Sequence, residues 1–149
     1  MDKKFKNIID EIKALDRNEK FLFNVCKIIN EKLPYYNWVG FYFISKDDSN
    51  MLELGPFVGE PTEHVKIPVG RGICGQAVAL NKPIIVDDVN AEDNYLACSL
   101  KVKSEIVVPI YKNGEIIGEI DIDSHEAAAF DDEDRKFLEE VCNIVASVL

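Results

Sequence analysis

Basic charge is what this sequence has least of relative to its opposite: 17 Lys and Arg stand against 27 Asp and Glu, a formal net charge of -10. Such a surface repels phosphate backbones and anionic lipid, so neither nucleic acid nor a membrane is an expected partner. Long apolar runs are also missing. No stretch approaches the roughly 20 apolar residues of a membrane span, and the N-terminal MDKKFKNIIDEIKALD is broken by charge, unlike the continuous core of a signal peptide. A cytoplasmic location is expected. Cysteine is sparse: Cys26, Cys74, Cys98 and Cys142 form no CxxC pair and are too few for a disulfide scaffold. In a reducing compartment they are free thiols. His64 and His125 have no metal-ligand spacing with any cysteine, so no metal site is expected. Repeats, low-complexity tracts and linkers are absent as well, which leaves residues 1–149 as one domain. A chain of that length buries about 70% of its unfolded surface and needs no metal or disulfide to fold.

What is present is the composition of a globular protein, 47% apolar and 30% charged. Phe5, Ile8, Ile9, Ile12 and Leu15 recur at helical spacing, and Asp16 to Glu19 offers a capping box for a second helix carrying Leu22, Cys26, Ile29 and Leu33, which Pro34 ends. The aromatic and β-branched run Trp38 to Ile44 predicts a strand, turned by Asp47 to Asn50 toward a second near Met51 to Leu54. A short run, Val65 to Val69, precedes Gly70-Arg71-Gly72. ICGQAVAL then predicts one or two helical turns before Asn81 and Pro83, Pro83 to Val89 predicts a strand, and Asn90 to Tyr95 a polar loop. The clearest signal is EIVVPIYKNGEIIGEIDID, two strand-like runs joined by Asn113-Gly114, the dipeptide of type I′ hairpins. Asp131 to Asp134 cap a last helix whose apolar face is Phe137, Val141, Ile144, Val145 and Val148. The order predicts an α+β fold: an antiparallel sheet of about five or six strands, terminal helices on one face, and short helices and loops holding any ligand site on the other.

Residue by residue, the plain readings come first. Glu119, Asp121 and Asp123 alternate with apolar residues, and acids at period two on a strand ordinarily mark a solvated face. Glu105 opens the apolar run IVVPI, where burial is expected. Trp38 and Tyr42 are core aromatics by default. Cys26 and Cys142 fall among helical apolar residues and pack as small hydrophobes, whereas Cys74 and Cys98 sit in loop-like sequence.

Six stretches, NWVGFYF, LELGPFVGEP, IPVGRGICG, LACS, KSEIVVPI and IGEIDIDS, stand in one order and spacing that resembles the free methionine-(R)-sulfoxide reductases, stand-alone GAF domains acting on the free amino acid. The resemblance runs from about Trp38 to the start of the last helix. It implies Cys98 as the nucleophile, Glu105, Asp121 and Asp123 as the acidic part of the site, and Trp38 and Tyr42 as pocket walls. It further implies no bound cofactor, an external thiol reductant such as thioredoxin, and a homodimer. The chain departs from the family pattern at His64, where a resolving cysteine is usual, and around Cys98, where DNYLACS replaces GHIACD. Cys74 is then the available resolving partner.

The chemistry asks for these residue types independently. Sulfoxide reduction needs a thiolate to attack sulfur and a proton donor for the departing oxygen, which a desolvated carboxyl group supplies. Converging carboxylates also hold the substrate's ammonium group. Its carboxylate needs donors, and the backbone amides around Gly70, Arg71, Gly72 and Ile73, leading into a short helix, are suited to that. The rival expectation from another class is a non-catalytic GAF module that binds a small ligand as a sensor or interaction protein.

Overall fold

The computed structural model describes residues 1–96 and 101–149. Helices α1 (Lys3–Lys13) and α2 (Phe21–Lys32) lead into strands β1 (Trp38–Ile44), β2 (Met51–Val58) and β3 (Lys66–Pro68). Helix α3 (Gly72–Leu80), β4 (Ile84–Val86) and a 3₁₀ turn at Val89–Ala91 follow. β5 (Ser104–Lys112), β6 (Glu115–Ser124) and α4 (Asp132–Ala146) complete the chain. The strands form one antiparallel sheet of order β3-β2-β1-β6-β5-β4. The expected α+β class and strand number therefore hold, with six strands among the described residues.

The sheet separates the molecule into two cores because successive side chains on a strand point to opposite faces. Val39 and Phe41 of β1, Ile120 and Ile122 of β6, and Ile106, Val108 and Ile110 of β5 lie on one face. Against them pack the apolar stripes of α1 (Phe5, Ile8, Ile9, Ile12), α2 (Phe21, Val25, Cys26, Ile29) and α4 (Phe137, Leu138, Val141, Cys142, Val145). Cys26 and Cys142 are thus core residues, and burial pushes both thiols well above their ordinary range. The opposite face carries Trp38, Tyr42, Leu52, Val86 and Val107, roofed by Ile73, Cys74 and Ala77 of α3. No helix among the described residues is long and apolar enough to cross a membrane.

Local chemistry fixes the register. Asn113 and Gly114 take φ of 53° and 80°, the left-handed pair a tight hairpin turn requires. The resulting β5–β6 ladder sets Glu105 opposite Asp123 and Val107 opposite Asp121. On the other side of β6, Trp38 pairs with Asp123, Gly40 with Asp121 and Tyr42 with Glu119. Gly40 is a close approach: a Cβ there would lie 2.4 Å from the Trp38 ring, which crosses it.

Four boundaries differ from the sequence reading. α2 begins at Phe21 after Lys20, and Asn18 Oδ1 accepts from the Lys20 amide instead of closing a box with Glu19. β2 continues past Leu54 to Val58, because pairing with β1 carries it through Gly55-Pro56 with a bulge between Gly40 and Tyr42. α3 is nine residues long and ends at Asn81, whose φ of 55° is left-handed. β4 is only three residues, since Asp88 Oδ1 accepts the Asn90 amide and turns the chain into the 3₁₀ segment.

Candidate functional site

Three acids of one strand, Glu119, Asp121 and Asp123, share the α3 face of the sheet with Glu105 from the neighbouring strand. All four are buried, at 0%, 1%, 1% and 5% exposure. The solvated-face expectation for the β6 acids is overturned, and the reason is the roof: α3 is apolar almost throughout and seals this face. Among the described residues no N–H or hydroxyl donor reaches either oxygen of Glu119, either oxygen of Asp123 or Oδ1 of Asp121; Glu119 meets the Cys74 thiol, and Asp121 and Asp123 meet Glu105.

Burial disfavours the charged form of a carboxyl group. It raises Glu119 and Asp123 well above the usual carboxylate range and Asp121 above it, with the Asp121 charge adding to the effect on the other two. Cys74, on the first turn of α3, points into this cluster. Its Sγ lies 4.0 Å from Glu105 Oε2, and burial, then the charges of Asp121, Glu119 and Glu105, push its thiol well above the ordinary value. Cys74, Glu105 and Asp121 each offer one atom within 4.8 Å of the other two.

A small cavity of about 10 Å³ opens above them, room for a single water. Tyr42, His64, Ile67, Gly72, Ile73 and Leu96 complete its lining. The Tyr42 hydroxyl donates to the His64 carbonyl at 2.9 Å. Trp38 is on the same face but stands behind Tyr42, stacked on Phe57 and tied through Nε1 to the Glu60 carbonyl at 2.9 Å.

The Gly70-Arg71-Gly72 turn is more occupied than its sequence suggests. The Gly70 amide donates to the Gly75 carbonyl and that of Arg71 to the Pro68 carbonyl. Gly72, at φ 64°, donates to Asn94 Oδ1 at 2.9 Å, while Asn94 Nδ2 returns a bond to the Gly70 carbonyl at 2.9 Å. Gln76 Nε2 adds a bond to the Asn94 carbonyl at 3.2 Å. Gly72 and Ile73, at the start of α3, both line the cavity. Arg71 itself is exposed. Cys98, the expected nucleophile, lies outside the described residues.

Sequence reasoning missed two parts of this site. Glu119 stands in register with Asp121 and Asp123, a signal that the plain expectation of a surface acid hides. Asn94 carried no signal beyond lying in a polar loop.

The GAF domain family matches residues 19–149 of the chain. Protein YtsP of Bacillus subtilis is 37% identical over 152 residues, covering 99% of this chain and 92% of that protein. Free methionine-R-sulfoxide reductase of Escherichia coli is 41% identical over 128 residues, covering 86% and 75%. The solved structure of free methionine-R-sulfoxide reductase from Neisseria meningitidis in complex with its substrate superimposes with a TM-score of 0.90 at 35% identity, covering 99% of this chain and 90% of that one.

Proposed function

Because the chain belongs to the GAF domain family that includes the free methionine-R-sulfoxide reductases, we propose that it reduces free methionine-(R)-sulfoxide in the pocket beneath α3. The observation that carries this reading is the set of buried carboxyl groups on β6 beside Glu105, whose oxygens meet no N–H or hydroxyl donor among the described residues. A cluster of this kind costs stability and is matched by a ligand bearing an ammonium group.

In the proposed mechanism Cys98 Sγ attacks the sulfoxide sulfur. A carboxyl group held protonated by burial, Asp121 or Asp123, delivers a proton toward the sulfoxide oxygen. The oxygen passes to Cys98 as a sulfenic acid and methionine leaves. The Cys74 thiol then attacks Cys98 sulfur, forming a disulfide and releasing water. An external dithiol of the thioredoxin class reduces that disulfide by exchange. Because burial keeps Cys74 protonated, its attack needs a proton acceptor, and Glu105 Oε2 at 4.0 Å is placed for it. Glu105, Asp121 and Asp123 hold the ammonium group, Tyr42 and Trp38 shape the wall, and the amides of Gly72 and Ile73 beside Arg71 receive the substrate carboxylate once Asn94 yields. The water-sized cavity requires that displacement, since an amino acid is many times larger. The protein works in the cytoplasm, as a homodimer in this reading.

The test is a single turnover of reduced protein with free methionine-(R)-sulfoxide, the (S) epimer alongside. Wild type forms one equivalent of methionine and a Cys74–Cys98 disulfide, visible by mass spectrometry. Cys98→Ser binds the amino acid but forms none. Asp123→Asn or Glu105→Gln lowers turnover by about 10² to 10⁴. Wild-type protein that binds ligand yet yields no methionine is instead a non-catalytic GAF module.

A further inference from the structure

The floor of the pocket has the donors of a metal site in a place that linear spacing does not reveal. Cys74 comes from α3, Glu105 from β5 and Asp121 from β6, and one ligand atom of each lies within 4.8 Å of the others. We propose that these three residues bind a thiophilic divalent cation of the zinc class, and that this cation and the substrate's ammonium group exclude one another.

Tetrahedral zinc with Zn–S of about 2.3 Å and Zn–O of about 2.1 Å sets its donors roughly 3.5 Å apart. Cys74 Sγ and Glu105 Oε2, at 4.0 Å, reach that spacing by contracting about half an ångström, which side-chain torsions absorb. A second observation points to a cation independently. Asp121, itself 1% exposed and lining the cavity, keeps its Oδ1 without a partner among the described residues. No Lys or Arg lines the cavity among those residues. The cavity itself, at about 10 Å³, suits one ion or water. A thiolate in the donor set selects zinc-like ions over magnesium or calcium, which prefer all-oxygen sites. As the metal–sulfur bond forms, the Cys74 S–H proton leaves to solvent.

Binding stands on this geometry alone; the mutual exclusion rests on the reductase reading. Metal-free, reduced protein is titrated anaerobically with Co²⁺, and thiolate-to-cobalt charge-transfer absorption is recorded. One equivalent should saturate the band. Cys74→Ser should abolish it, Cys98→Ser should retain it, and Glu105→Gln should weaken binding by at least about tenfold. Circular dichroism establishes that each variant is folded, and Glu105→Gln serves where Cys74→Ser is not. Zn²⁺ should bleach the band, as should free methionine. The site is overturned if wild type gives no band, or if the band survives Cys74→Ser and is lost in Cys98→Ser. A band indifferent to methionine overturns the exclusion. Single-turnover methionine formation in a chelator separates the two readings: methionine without a cobalt band removes the cation site and leaves the reductase, and a cobalt band without methionine does the reverse.

Discussion

A buried carboxyl oxygen without a donor carries a penalty of about 1–3 kcal/mol, against a total stability of roughly 5–15 kcal/mol for a domain. Glu119, Asp121 and Asp123 present five buried oxygens that no N–H or hydroxyl donor reaches among the described residues. Glu119→Gln should therefore raise the melting temperature near neutral pH by a few degrees, at about 2–4 °C per kcal/mol. The gain should vanish in acid, where the native carboxyl group is already neutral. Differential scanning calorimetry at both pH values checks it, and equal gains would show that charge burial is not the cause. The burial of these acids was not legible in the sequence, because period two is the same whether a strand face meets water or a roof. Glu105 was legible, since it opens an apolar run.

At the scale of elements, the most legible features were those with local chemical causes. Asn113-Gly114 demanded a left-handed turn and received it. Asp131 caps α4 as expected, and Asp134 closes a reciprocal box with it. The boundaries set by tertiary pairing, such as the extension of β2 to Val58, were not readable from propensity. The α4 cap also has a long-range function. Asp134 Oδ1 accepts the hydroxyls of Tyr35 and Tyr36, each at 2.7 Å, stapling the helix to the segment that enters β1. Asp134→Ala leaves the Tyr36 hydroxyl buried without its acceptor and removes half of the box, so urea denaturation should show a loss of about 2–4 kcal/mol. A second element-scale expectation concerns Asn94, whose side chain bridges Gly70 and Gly72. Asn94→Ala should speed hydrogen exchange in residues 90–96 while leaving that of β5 and β6 unchanged. Uniformly faster exchange would mean global destabilisation instead.

For the whole molecule, four acids, Glu119, Asp121, Asp123 and Asp134, have folded pKa values raised chiefly by burial. Between their unfolded values of about 4 and their raised folded values, the native state holds more protons than the unfolded chain, so stability falls as pH rises. The net charge of -10 adds self-repulsion in the same direction. Thermal unfolding should give a higher midpoint at about pH 5.5 than at about pH 8.5, and a midpoint rising toward alkaline pH would contradict this account. The ends of the sheet have a different consequence. Its two outer strands are three residues each, and β3 carries Lys66 and Pro68. A neighbouring chain finds almost no open ladder there, because short strands, lysine and proline all deny it hydrogen-bonding partners. Growth by strand addition, the first step toward fibrils, is blocked at both rims, so concentrated solutions should remain free of thioflavin-positive aggregates as long as the fold is intact.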